Sequence, residues 1–142
     1  MKKTHLLLFL SIFIFSACSS DDDDSSENNK VKLTASFHYL SNGEKKPDVA
    51  TVLYIFKIDK AEQGNYDFKT GQKYLEHKEN KTVVYPLSTP KANNDGVISI
   101  DLENNIFYQT VFVSAIQPDI WGIEYLDAKG KALSISKEYA LK

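Results

Sequence analysis

Among 142 residues there is one cysteine, Cys18, and no arginine at all. A lone thiol excludes a disulfide framework within the chain and any cysteine-based zinc cluster. Without arginine there is no guanidinium fork, the group that most often grips phosphate or carboxylate with two parallel hydrogen bonds. Histidine is scarce as well. Only His5, His38 and His77 are present, too few beside a single Cys for an ordinary zinc set, so no metal and no cofactor is expected. The formal charge of −2 supplies no field to draw in a polyanion, which argues against a nucleic-acid partner. Neither a glycine-rich phosphate loop nor a Gly-x-Ser-x-Gly elbow occurs. What is there, 42% hydrophobic and 25% charged residues, is the balance of an ordinary globular protein with the length of one domain.

The first 17 residues stand apart. Lys2 and Lys3 precede residues 6–15 (LLLFLSIFIF), an apolar run broken only by Ser11. As a helix it would reach about 15 Å, half the thickness of a bilayer core. That is too short for a permanent span and right for the apolar region of a secretory signal peptide. The run ends in Phe15-Ser16-Ala17-Cys18, which resembles the lipobox of bacterial lipoproteins, with Phe15 where an aliphatic residue is usual. The resemblance implies cleavage before Cys18, acylation of its thiol and attachment to the membrane through lipid. An unpaired thiol is a liability in an oxidising compartment, and a thioether-linked diacylglycerol consumes it. At about 0.8 kcal/mol per buried methylene, two or three acyl chains hold firmly.

Residues 18–30 read as a tether. After Cys18 come Ser19, Ser20, Asp21, Asp22, Asp23 and Asp24, then further polar residues to Lys30, with no apolar side chain among them. Self-repulsion and the lack of anything to bury predict disorder. The Ser-Ser-Asp-Asp-Asp-Asp run directly behind the cysteine resembles the acidic export signal of certain Gram-negative lipoproteins, which implies an outer-membrane protein displayed at the cell surface.

Residues 31–142 form the candidate folded domain. With Lys2, Lys3, Lys30, the four aspartates and Glu27 set aside, 14 lysines balance 14 acids, so the acidity belongs to the tether. Leu33, Ala35, Phe37 and Tyr39 alternate with Thr34, Ser36 and His38, the period of a half-buried strand ending at the turn pair Asn42-Gly43. Residues 49–58 (VATVLYIFKI) and 106–116 (IFYQTVFVSAI) are apolar on both faces, as central strands are. Ile98, Ile100 and Leu102 alternate after an Asn94-Asp95-Gly96 turn, and residues 122–126 and 132–139 flank Asp127-Ala128-Lys129-Gly130-Lys131 as a closing hairpin. Between them, Tyr66, Phe68, Tyr74, Val83, Val84, Tyr85 and Leu87 suggest two short strands, and no stretch of a dozen residues carries a helical stripe. The expectation is an all-β fold: a single antiparallel β-sandwich of about seven strands.

Two segments carry a further likeness. Lys46-Pro47-Asp48-Val49-Ala50-Thr51-Val52-Leu53-Tyr54-Ile55 and the Asn94-to-Ile100 turn-and-strand unit resemble transthyretin-like or carboxypeptidase-regulatory-like sandwiches, with Val49 where a glycine is usual. An immunoglobulin-like topology fits the same pattern. Either resemblance implies display, adhesion or docking.

No residue is assigned a catalytic role, and the chain is not expected to be an enzyme. His38 falls on the solvated face of its strand, and His77 sits among Glu76, Lys78 and Glu79 without hydrophobic shelter. Neither has a nucleophile or orienting acid at a meaningful spacing. Glu76, Glu79, Asp95, Asp101 and Glu103 fall in turns or on exposed alternation. The candidate ligand-binding residues are Trp121 and Tyr125, because sugar rings stack on exposed aromatics and Trp121 follows the loop-like Gln117-Pro118-Asp119-Ile120. A lone Trp between Ile120 and Ile123 fits a plug over the end of the core better. Two functions follow: a lipid-anchored module docking onto an envelope protein through a strand edge or loop surface, or a glycan-binding accessory protein of a surface carbohydrate-uptake system.

Overall fold

The computed structural model describes residues 29–141; the expected leader, Cys18 as the expected lipidation site and the run from Ser19 to Asp24 lie outside the described residues. The chain forms ten strands: β1 (Lys30–Ser41), β2 (Glu44–Pro47), β3 (Val52–Lys57), β4 (Tyr66–Lys69), β5 (Tyr74–His77), β6 (Val83–Val84), β7 (Val97–Glu103), β8 (Ile106–Val113), β9 (Trp121–Ala128) and β10 (Leu133–Ala140). Among the described residues the sole helical element is a 3-10 turn over Lys60–Glu62, capped by the Asp59 carboxylate. The expected all-β sandwich is what the chain builds. It has more strands than the seven anticipated because short strands line the middle and one edge.

Three sheets stack in layers. In the first, β1 is central. β10 pairs with it from Leu33 to Leu40, while β7 pairs with Lys30 to Ser36 and β2 with His38 to Ser41. Because β10 spans both stretches, β7 and β2 must share the opposite edge of β1, end to end. The handover is at Phe37, whose N–H donates to the Gly96 carbonyl (2.8 Å) and whose carbonyl accepts from the Asp48 N–H (2.9 Å). Gly96 is required there. Its φ is +72°, and a Cβ would lie 2.3 Å from the Phe37 oxygen. The pairing of β1 with β10 is parallel, the one departure from an antiparallel sandwich. The chain between them supplies the long crossover that parallel neighbours need.

The central sheet runs β3-β8-β9, and residues 87–92 line the free edge of β3 irregularly through bonds such as Leu53 N–H to Pro90 O (3.0 Å) and Leu87 N–H to Ile55 O (2.7 Å). One face, with Leu53, Ile55, Tyr108, Phe112, Leu126 and Ala128, packs on Leu33, Ala35, Phe37, Ile98 and Ile135 of the first sheet to form the main core. The other face, with Phe56, Val111 and Val113, packs on Phe68 and Leu75 of the third sheet, β4-β5-β6. Double burial is the reason β3 and β8 read as continuous apolar runs.

Two expectations are corrected. The long strand at 49–58 begins only at Val52: Asp48 and Thr51 close a turn (Thr51 N–H to Asp48 O, 3.4 Å), Ala50 takes φ +67°, and Val49 is exposed. And β9 and β10 are not a hairpin, for β9 pairs with β8 in the central sheet while β10 pairs with β1 in the first. Burial decides this. β10 has one apolar face, with Leu133, Ile135 and Tyr139 packed on the main core, and belongs at the edge of a sheet with one solvated side. β9 has apolar residues on both faces and needs two covering layers.

Candidate functional site

Trp121 opens β9 rather than standing in a loop, and pairs with Val113. Alternation along β9 puts Trp121, Ile123 and Tyr125 on the face toward the third sheet. Trp121 leans on Phe68 of β4 (ring centroids 6.1 Å), which in turn meets Tyr54 (5.4 Å) and Phe56 (6.1 Å). Trp121 remains 42% exposed, so it is a rim residue of the outer layer and not a plug over the main core. Tyr125 shares its face but lies about 13 Å along the strand, half-buried and stacked on Phe107 of β8 (6.2 Å, 11° between planes). The two candidate residues are thus on one surface without forming one site.

The outer layer carries other large apolar side chains in solvent. Tyr85 is 69% exposed and meets Tyr74 edge-on at 5.9 Å; Leu87, two residues on, is 63% exposed. The outer face of the first sheet is different: Thr34, Ser36, Ser99, Ser134 and Ser136 occupy neighbouring register positions there, with Ser36 and Ser136 hydroxyls 3.4 Å apart.

A buried polar knot, not foreseen from sequence, sits at the Trp121 end of the sandwich. The Asp48 carboxylate is fully buried. Its Oδ2 accepts from the Ser114 hydroxyl (2.6 Å) and from the Tyr139 hydroxyl, and Ser114 Oγ accepts from the Gln117 N–H (3.1 Å). Asp48 Oδ1 and the buried Thr51 hydroxyl have no hydrogen-bond partner among the described residues. Burial, and then the adjacent carboxylate, push the Tyr139 hydroxyl up to about 12. The knot ties the β2–β3 turn, the end of β8 and β10 together. It brings a serine beside an acid with no imidazole between them, so it lacks the base a serine nucleophile needs.

His77 is buried on β5, not in a charged loop. Its Nδ1 accepts from the Glu79 and Asn80 N–H groups (3.2 and 3.3 Å), which leaves Nε2 to donate to Glu62 (2.9 Å), and its ring meets Tyr66 edge-on. Bonds to Asn65 and then His77 hold the Glu62 carboxyl below its usual range. All the nitrogens are used in fixing a turn. His38 is half-buried, and its Nδ1 has no hydrogen-bond partner among the described residues. Among the described residues no group of three or more His, Cys, Asp or Glu could hold a metal ion, and no helix is long and apolar enough to cross a membrane.

No known protein family and no curated protein matches the chain. A similar solved structure is GBS52, the minor pilin of the Gram-positive pathogen Streptococcus agalactiae, with 14% sequence identity and a TM-score of 0.46 over 80% of this chain. The likeness spans 45% of that pilin, so the chain matches less than half of its length.

Proposed function

We propose that this chain is a non-catalytic, lipid-anchored protein of the outer membrane, displayed at the cell surface, whose sandwich docks an envelope protein against the rim of its third sheet. The observation that carries the docking reading is that large aromatic side chains are left in water about that sheet, Tyr85 just after β6 and against Tyr74, and Trp121 against Phe68. Aromatic side chains of this kind anchor protein interfaces. The opposite outer face carries mostly short hydroxyl and charged side chains, with Leu40 as its exposed apolar residue and no exposed ring among its register positions Thr34, Ser36, Ser99, Ser134 and Ser136. The anchor itself rests on residues 15–18, and surface display on residues 19–24.

Cross-linking on intact cells, followed by pull-down, tests the docking. Wild type captures a defined membrane protein, and Tyr85→Ala and Trp121→Ala lose it while the thermal midpoint stays put, since both side chains are partly solvated. Capture of the same proteins by wild type and both variants overturns the reading. Soluble glycans that shift the Trp121 fluorescence would transfer it to sugar binding at this rim. A free, unacylated Cys18 in the mature protein removes the anchor.

A further inference from the structure

Asp48 is the one fully buried acid among the described residues, and no lysine or histidine neutralises it. Its side chain is held by two uncharged hydroxyls, those of Ser114 and Tyr139, both on Oδ2. Asp48 Oδ1 has no hydrogen-bond partner among the described residues, and neither has the Thr51 hydroxyl, which is also fully buried. The two orphaned oxygens stand at either end of one four-residue turn, closed by the Thr51 N–H on the Asp48 carbonyl (3.4 Å). The Ser114 and Thr51 hydroxyls both act on the Tyr139 hydroxyl, so the four side chains converge. The turn itself is strained. Ala50 holds φ +67° at the third position, where glycine is usual. Such strain persists only where the surroundings impose it, and it gathers at functional sites. A whole negative charge is thus enclosed by neutral oxygen groups, a costly arrangement unless a countercharge joins it.

We propose that the turn from Asp48 to Thr51 binds one monovalent metal cation, sodium, through Asp48 Oδ1 and the Thr51 hydroxyl oxygen. The donors are oxygen throughout, the set that suits a hard cation. Charge selects the valence. One carboxylate balances one positive charge, whereas calcium or magnesium would leave the enclosed site with a positive charge in excess. Calcium is also held by several acids as a rule, and among the described residues no cluster of three His, Cys, Asp or Glu forms around Asp48. A bridging water joins the two orphaned groups but leaves the charge whole. Val49 follows Asp48, Ile116 lies two residues after Ser114, and both are exposed, as is Trp121 at the start of β9. The ion therefore stiffens the loops that carry the apolar side chains at this end. Its binding does not depend on docking at the third sheet, so failure of one leaves the other standing.

The test is thermal unfolding of the mature chain in sodium chloride against choline chloride at equal ionic strength, read beside amide chemical shifts. Sodium raises the midpoint by roughly 5 °C for each tenfold increase above its Kd, and choline, too bulky for the turn, does not. The shifts that saturate are those of residues 48–51 and 114–117. Asp48→Asn, close in shape and uncharged, abolishes the sodium dependence. Thr51→Val keeps the shape and the buried charge, removes the hydroxyl and weakens the affinity for sodium; it decides the matter if Asp48→Asn fails to fold. Equal midpoints in the two salts overturn the proposal and assign Oδ1 to a buried water or a proton. A larger saturable rise with calcium chloride overturns the monovalent assignment. Sodium dependence that survives both substitutions puts the ion elsewhere and overturns the site.

Discussion

The two faces of the sheet β3-β8-β9 are finished differently. Toward β1, β7 and β10 the cover is broad, strands of seven to twelve residues, and the layer between is filled by apolar side chains such as Leu33, Phe37, Leu53 and Phe112. Toward β4, β5 and β6 the cover is three strands of four, four and two residues. On that side lie an amide, Gln109, with no hydrogen-bond partner among the described residues, a buried His77 fixed by its own turn, and large apolar groups in water at the rim. A broad cover can hold the fold by itself. A narrow one leaves more surface in solvent, and under the docking proposal the difference puts stability on one face and recognition on the other.

Paired truncations test that division hardest. Phe37, fully buried in the main core and 5.5 Å from the Phe112 ring, has no way to be filled in from a rigid two-sheet layer. Phe37→Ala is expected to cost about 3–5 kcal/mol in urea unfolding. Phe68→Ala removes a ring of similar size from under the small third sheet, which can settle toward the gap, so about 2 kcal/mol is expected. Hydrogen exchange separates the two. Phe68→Ala should strip protection from the amides of β4–β6 and spare β8, whereas Phe37→Ala should lower protection everywhere. Equal costs with uniform loss would break the comparison.

Gln109 sharpens it at smaller scale. It is fully buried, and neither amide atom has a hydrogen-bond partner among the described residues. Register places it between Phe56 and Tyr125 on the face toward the third sheet, with Phe107 and Val111 two residues either way. An orphaned amide among rings is a standing cost of about 1–3 kcal/mol. Gln109→Leu, close in volume and wholly apolar, is therefore expected to raise the unfolding free energy by about 1 kcal/mol. A loss instead would show that the amide is held by an ordered water.

Much of the main core was legible in the sequence, for physical reasons that single out particular residues. The alternation from Leu33 to Tyr39 and from Ile98 to Leu102 marks strands with one wet face, and both pack inward on the side expected. The doubly apolar runs at 49–58 and 106–116 were legible as buried strands, though the strands occupy only 52–57 and 106–113 and their second cover, a separate sheet, was not legible. That cover is made of strands of two to four residues, too short to print a period. The hairpin misreading has a similar origin, since Asp127-Ala128-Lys129-Gly130-Lys131 has local turn chemistry while partner choice is set by burial far away. Of the site, Trp121 and Tyr125 were visible as aromatics. Their separation and the backing of Phe107 by Tyr125 depend on pairing that no local pattern encodes. In the sequence Asp48 was only one residue of the Lys46-to-Ile55 segment that resembles transthyretin-like sandwiches. Only the crossover at Phe37 buries it.

The smallest expected effect concerns that crossover and is best seen as a pH difference. Tyr139 is held protonated in the fold up to about 12, whereas an unfolded tyrosine gives up its proton near 10. Between those values the folded state binds more protons, so stability falls as pH rises; below about 10 the full contribution is present. Tyr108, also raised by burial, adds to the same slope. Comparison with Tyr139→Phe isolates the one hydroxyl, because the lysines that titrate in this range are common to both proteins. The variant should be less stable at neutral pH by about 1 kcal/mol, the worth of a hydrogen bond to a charged group less the recovered apolar packing. Its thermal midpoint should decline less steeply than wild type from about pH 10 to 12. Parallel declines would mean that the hydroxyl is free of Asp48, and that β10 meets the end of β8 by packing alone, through the Tyr139 ring stacked 6.4 Å from Phe112.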